Sequence, residues 1–583
     1  MLAAAPPPRA SPGRLARAVL LASLPGWLAG ALLTGLLFFL NPALDFSAPA
    51  VARGVACYGL LLAALSALVV AGGCRLDAAR VGRALPWAMT GVLALTALLA
   101  WYHASHYSYF LPPGIGTRLI KAAVLVSTAA LIAFYTALLH SLNDRPYGRR
   151  SRWGLALAAL AAVYFMLERR EAFAQRPEAT PLPATVDLRE LPRLYVVGLE
   201  GATLDAILPL AGEGQLPFFA DALAEGAYGR LGSVPPVVTP AVWTTLASGK
   251  LPFRHGVLGR QLVPTPLAAD EDLTLLPARL GFARWGTFGA VPRPLDGNDR
   301  RALTLWEMLA RLDLPSGAVG WPASWPAQGP TAFVFSDRYF YGELEAAAAV
   351  PPDLVERGSL FRVGTREIDP RLLAEIGRPR DRELLEGALA SDLWRQALAR
   401  FLLAQAPDLR GFFLRLTGLG HVSRASFGGF AAVVLEGSRR RDDQAAAAEL
   451  TTYYRWLDRW LAEFWAAQPA PKILAVVSPH GFAAPTDWRR MLGVGGARQQ
   501  GRLSGPPDGL ILLLGEGVQP GRLLTDPELA DVVPTLLYAL GLPSARDFDG
   551  RVLTETFTPA FLARQPLAFV PSYETLLPAA APP

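Results

Sequence analysis

The stretch Leu194-Tyr195-Val196-Val197-Gly198-Leu199-Glu200-Gly201-Ala202-Thr203 opens with an apolar run of strand length and breaks at a carboxylate followed by glycine. Downstream, residues 216–224 have the spacing of a helix, and residues 240–248 read as a second helix closed by Gly249. Thr239 stands just before Pro240, which predicts an N-cap residue with proline at the first helical position. The free N–H groups of such a helix start would face a bound anion. Buried-type strands are expected again at 331–335, 411–416, 472–478 and 509–514. Between them Tyr453, Trp456, Leu457, Trp460, Leu461 and Phe464 recur on one helical face, a core stripe rather than a cofactor box. Short apolar strands alternating with helices predict an α/β domain with a mostly parallel sheet covered on both faces.

Upstream the composition changes. Apolar segments at 18–40, 54–73, 84–102 and 122–142 each approach the roughly 20 residues a helix needs to cross a bilayer, and a shorter fifth runs from 153 to 167. About five transmembrane helices are therefore expected. Arg9, Arg14 and Arg17 before the first, Arg75, Arg80 and Arg83 after the second, and Arg145, Arg149, Arg150 and Arg152 after the fourth put those segments on the cytoplasmic side. Five spans then place everything after residue 168 outside the cytoplasm, in a multi-pass protein of the cytoplasmic (inner) membrane. The first segment is too long for a signal-peptide core and is followed by further spans, so it reads as a retained anchor. The expected division is a transmembrane region at 1–168, a proline-bearing linker at 169–193 and an α/β domain at 194–583.

The 583 residues carry a formal net charge of +6, but lysine occurs only at Lys121, Lys250 and Lys472, and no basic run interleaves with aromatics. Nucleic acid is not an expected partner; the lipid bilayer is. Both cysteines, Cys57 and Cys74, lie in or beside an apolar segment, so the later domain has neither a disulfide nor a thiolate zinc site. Any metal there must use histidine and carboxylates. The charged run 439–443 reads as a solvated loop.

The stretch that opens this section continues through Leu216-Pro217, Gly226-Ala227-Tyr228-Gly229, Thr239-Pro240-Ala241-Val242-Trp243-Thr244-Thr245, Ser248-Gly249 and Pro252-Phe253-Arg254-His255-Gly256-Val257. In that order and spacing it resembles the opening of type I phosphodiesterase and nucleotide pyrophosphatase domains of the alkaline phosphatase superfamily. Ser478-Pro479-His480-Gly481-Phe482, Asp531-Val532-Val533-Pro534-Thr535-Leu536, Gly541-Leu542-Pro543 and Asp549-Gly550 extend the resemblance to about residue 555. It implies a site in which an Asp after the first strand, an Asp-His pair after a middle strand, a later Asp-His dipeptide and one more His hold two zinc ions, with Thr as nucleophile. Metal is needed there because a hydroxyl ionises poorly near neutral pH, and a divalent ion stabilises the alkoxide and the phosphoryl oxygens together.

Carried onto this chain, the resemblance gives Thr239 the nucleophile position and Glu200 the first ligand position, one methylene longer than Asp. Gly420 and Arg424 replace the middle Asp and His, Pro479 replaces the later Asp so that only His480 remains, and residues 504–507 offer no histidine for the last ligand. The soluble part contains only His255, His421 and His480. Glu200 and His480 are thus remnant metal positions, expected to be unoccupied, with a reduced zinc or manganese site as the alternative. Arg424 is expected either to pair with Glu200 in the vacated cationic space or, with Thr239 and His421, to bind an anion. The expectation is a membrane-anchored pseudoenzyme that binds an envelope partner or a phosphate-bearing ligand. The alternative is an active phosphodiesterase or phosphotransferase on an envelope lipid or glycan.

Overall fold

In the computed structural model the described residues are 12–168, 180–181, 191–268, 271–277, 291–329, 332–376, 381–484, 501, 503 and 508–577. The chain divides into two compact units: Met1–Ala174 with Gln261–Pro294, and Gln175–Arg260 with Leu295–Pro583. The sequence division had no excursion at Gln261–Pro294, because nothing in that segment's composition marks it as part of the helical unit.

In the first unit, α1 (Pro12–Leu40), α2 (Ala48–Ser66, running on through a π turn at Ala67–Ala71), α3 (Ala78–His106) and α4 (Pro113–Leu142) are long and apolar enough to cross a membrane. The Ser47 and Asp77 side chains cap α2 and α3 by accepting from Ala50 N and Ala79 N. Small residues bring α1 and α2 together: a Cβ on Gly30 would lie 2.4 Å from Gly59 Cα, a contact only glycine permits. The fifth segment does form a helix, α5 (Arg149–Leu167), but at 19 residues with Arg149, Arg150 and Arg152 at its start it is not among the helices that meet both requirements. Asn41, buried at the end of α1, ties the excursion to the helices. Its Oδ1 accepts from Thr274 N at 2.7 Å and Leu275 N at 2.9 Å, and its Nδ2 donates to Leu275 O at 2.8 Å.

The second unit is built on β1 (Arg193–Leu199), β2 (Ala227–Leu231), β3 (Ser316–Trp321), β4 (Phe333–Ser336), β5 (Ala349–Val350), β6 (Gly411–Leu416), β7 (Lys472–Ser478), β8 (Gly509–Gly515) and β9 (Arg522–Leu523). Among the described residues they form one sheet in the order β9-β2-β8-β7-β1-β6-β3-β4-β5. β4, β3, β6, β1 and β7 run parallel; β8 and β5 are antiparallel to their inner neighbours. The five central strands are nearly continuous apolar runs because helices cover both faces. This is the mixed, mostly parallel α/β architecture that the alternation of strands and helices predicts. The stripe on α11 (Arg441–Ala466) is core as expected, with Tyr453, Leu457 and Leu461 fully buried. The run 439–443 is loop only to Arg440; Arg441 begins α11, and buried Asp443 accepts from Ser438 Oγ at 2.7 Å.

Parallel strands bring their carboxyl ends to one edge, where Glu200 follows β1, Asp337 follows β4, Thr417 follows β6 and His480 follows β7. After α6 (Leu204–Gly212) and α7 (Pro217–Glu225), the helices that carry the other candidates, α8 (Thr239–Ser248) and α10 (Gly418–Val434), belong to this unit too, with α9 (Arg382–Gln405) between them in the chain.

Candidate functional site

Glu200 leaves β1 into a turn whose next residue, Gly201, has φ +82°, and a Cβ there would meet the Phe482 ring at 2.5 Å. Its carboxylate points inward and meets Arg415 of β6, Nη2 to Oε2, at 2.5 Å. Arg415 is 4 % exposed. Its guanidinium also donates to Gly320 O at 3.2 Å and lies 5.0 Å from the centre of the Trp243 ring. Burial acts to raise the Glu200 pKa, but Arg415 first, then His480 and His421, outweigh it and hold the carboxyl below its usual range. The cation beside Glu200 is therefore Arg415 and not Arg424. Arg424 is exposed on α10, and no ion pair among the described residues joins it to Glu200.

A second substitution fits this arrangement. Gly420, which stands where the family places an Asp, lies against the Glu200 side chain, so that a Cβ on it would fall 2.7 Å from Glu200 Cγ. The extra methylene of Glu200 occupies room that the missing side chain of Gly420 provides. The start of α10 is fixed by Asp392, wholly buried, whose carboxylate accepts from Thr417 N at 2.9 Å, Gly418 N at 3.1 Å and the Tyr453 hydroxyl at 2.9 Å. Beside it Arg395, also buried, has its pKa lowered to about 10, chiefly by desolvation, and stacks 4.0 Å from the centre of the Phe340 ring.

His480 is 1 % exposed, and burial lowers its pKa. Its Nδ1 lies 3.1 Å from Gly481 O. Only a protonated nitrogen can donate to that carbonyl, so Nε2 carries a bare lone pair, and it has no partner among the described residues. This is the tautomer of a metal-ligating histidine. The rest of the set does not fit a metal. One Glu200 oxygen is engaged by Arg415, Gly420 and Pro479 offer no donor, and Arg424 is cationic. Among the described residues no three His, Cys, Asp or Glu side chains gather as a metal site would require. Residues 504–507 lie outside the described residues.

Thr239 is the first helical residue of α8, with Val238 rather than Thr239 at the N-cap and Pro240 one place further in than its sequence setting predicts. The Thr239 hydroxyl is thereby free of a capping bond and accepts from Arg260 Nη2 at 3.3 Å. One turn on, Trp243 packs against Gly198 of β1, where a Cβ would stand 2.6 Å from its ring. The helix that starts at Thr239 thus also supports the Arg415 guanidinium. His255, in the turn after α8, is fully buried. Its Nδ1 accepts from Val257 N at 3.1 Å and its Nε2 pairs with Thr245 Oγ1 at 3.0 Å, while burial brings its pKa down to about 3.

The structure therefore gathers Glu200, His421 and His480 into one electrostatic group, with Arg424 acting on His480. No hydrogen bond or ion pair among the described residues links that group to Thr239. Sequence reasoning missed Arg415, Arg260 and Asp392. Arg415 did leave a signal, as a lone charge inside the otherwise apolar strand of residues 411–416, since a buried charge must find a partner. Arg260 left none, being exposed and 21 positions from Thr239.

The sequence profile of the type I phosphodiesterase / nucleotide pyrophosphatase family matches residues 194–492, just over half of the chain. Solved structures to which the chain is similar include wild-type alkaline phosphatase PafA, 11 % identical with a TM-score of 0.42, over 64 % of this chain and 100 % of that one. They include murine ectonucleotide pyrophosphatase/phosphodiesterase 5, 12 % identical with a TM-score of 0.32, over 60 % of this chain and 95 % of that one. A phosphonate monoester hydrolase from Silicibacter pomeroyi is 13 % identical with a TM-score of 0.35, over 62 % of this chain and 75 % of that one. No curated protein sequence matches the chain. This chain belongs to the type I phosphodiesterase / nucleotide pyrophosphatase family.

Proposed function

We propose that the chain is a membrane-anchored, non-hydrolytic member of this family that holds a phosphate-bearing group at the start of α8. The observation that carries this reading is the Arg415–Glu200 ion pair, which puts a fixed guanidinium against the carboxylate that would otherwise hold metal. The Arg415 guanidinium neutralises Glu200 and engages the oxygen that a divalent ion would need, and unlike such an ion it makes no bond to the Thr239 hydroxyl among the described residues, so ionisation of that hydroxyl lacks metal support. What remains is binding chemistry: the N–H groups of α8, the Thr239 hydroxyl and the exposed Arg260 guanidinium, with exposed Arg424 and His421 on α10. The arginine-rich loops support an orientation with this domain outside the cytoplasm, on the cytoplasmic membrane, and α5 as a fifth crossing.

One observation favours a second reading, an active phosphodiesterase or phosphotransferase on a reduced metal site: the bare Nε2 of His480. The purified full chain separates the two. Non-hydrolytic binding predicts substoichiometric zinc and manganese by elemental analysis. It also predicts no turnover of bis(p-nitrophenyl) phosphate above the Thr239→Ala variant, and phosphate-monoester binding that Arg260→Gln weakens. Stoichiometric metal together with Thr239-dependent hydrolysis would reject it.

A further inference from the structure

At the opposite edge of the sheet, where the parallel strands begin, lies a cavity of about 440 Å³. We propose that it is a second ligand site, for a small organic carboxylate with an apolar or aromatic body. The volume falls in the range of small-molecule sites. Its floor is aromatic: Tyr195 of β1 and Trp460 and Phe464 of α11 line it, each less than a tenth exposed. Leu403 and Leu409 form an apolar wall.

The charged groups at the cavity are Arg193 and Arg400 against Glu463. Gln396 of α9 (Arg382–Gln405) lines it, is 6 % exposed, and its Nε2 has no hydrogen-bond partner among the described residues. A buried amide N–H₂ without an acceptor costs stability, and because Gln396 lines the cavity, a half-turn of its amide toward the cavity would let an incoming acceptor satisfy that donor. One turn along the same helix face, Arg400 lines the cavity with no ion pair among the described residues, and Arg193 stands at the rim beside the Tyr195 hydroxyl. Glu463 is the single acidic lining residue, and it is exposed.

Two helices end here, and their last carbonyls would repel an anion, but the chain itself engages several of them. Leu402 O accepts from Ala406 N, Glu463 O from Ala467 N, and Phe464 O from the Gln468 side chain. The guanidinium groups are left for a ligand. A planar carboxylate suits the Arg400 fork and the Gln396 amide together, with its apolar body against Trp460.

The test uses the full chain in lipid nanodiscs, with empty nanodiscs as blank and 2-naphthoate as probe, read by equilibrium dialysis. Saturable binding is expected. It should weaken about tenfold or more in Gln396→Leu and in Arg400→Gln, consistent with loss of a hydrogen bond to a charged group, and should be unchanged in Thr239→Ala. The neutral naphthalene-2-carboxamide should bind at least about tenfold more weakly. Melting temperature serves as the folding control, because Gln396→Leu removes only an unpaired donor and should not lower it. Equal binding of acid and amide, undiminished binding in both variants, or no saturable binding at about millimolar probe would each overturn the proposal.

Discussion

At the carboxyl ends of the central strands the charged side chains turn inward and satisfy one another, Glu200 with Arg415 and Asp392 with the start of α10. At the amino ends the arrangement is reversed: among the described residues the buried Gln396 Nε2 has no partner and Arg400 has no counter-ion, beside an open cavity. In a parallel α/β sheet the carboxyl edge is where ligands are ordinarily held, because helix starts and loops converge there. Here part of that edge is closed by an ion pair, and the binding proposed above lies at the start of α8 and at the far edge. On that proposal, family membership describes the frame of this protein better than its chemistry.

The comparison breaks most visibly if the ion pair is not the structural centre of the carboxyl edge. Arg415→Met leaves the Glu200 carboxylate buried and unpaired and should cost about 3–5 kcal/mol, read as a lowered unfolding midpoint of the full chain. Adding Glu200→Gln should recover at least about half of that loss, because the two substitutions act on one interaction. Additive losses would show that Arg415 is held by Trp243 and Gly320 alone. A smaller effect comes from pH. His255 stays neutral in the folded chain down to about pH 3, whereas in the unfolded chain it protonates below about 6.5. The unfolded state then binds more protons in that window, so stability falls as pH falls through it, by about 2 kcal/mol from this group between pH 7 and pH 5. His255→Gln should flatten that part of the melting-temperature profile, and an unchanged slope would remove His255 from the support of α8.

The strand-and-helix alternation and the motifs from Leu194 to Val257 made the α/β frame legible, since a buried parallel strand is an unbroken apolar run and a helix start carries its proline. The losses from the ligand set were equally legible, because Gly420 and Pro479 lack the atoms concerned. What replaced them was not. Pairing with Glu200 was one of the two roles expected for Arg424, but β6 runs directly beside β1, with Arg415 opposite Gly198, so that strand register and not motif spacing decides which guanidinium arrives. The excursion Gln261–Pro294 was hidden for a similar reason: Asn41 and Leu275 are 234 positions apart, and only the fold brings the amide to its partners.

The smallest expected effect lies at the amino edge, and its sign carries the information. Gln396→Leu removes a buried amide that bonds to nothing among the described residues and replaces it with a side chain of similar volume, so the melting temperature should stay constant or rise by about a degree or two. A core glutamine held by unseen structural partners would instead lose about 1–3 kcal/mol on the same substitution. Stability retained while 2-naphthoate binding is lost is the combination that separates a residue kept for a ligand from one kept for the fold. That contrast with Arg415→Met, where stability itself should be lost, is what the difference between the two edges of the sheet requires.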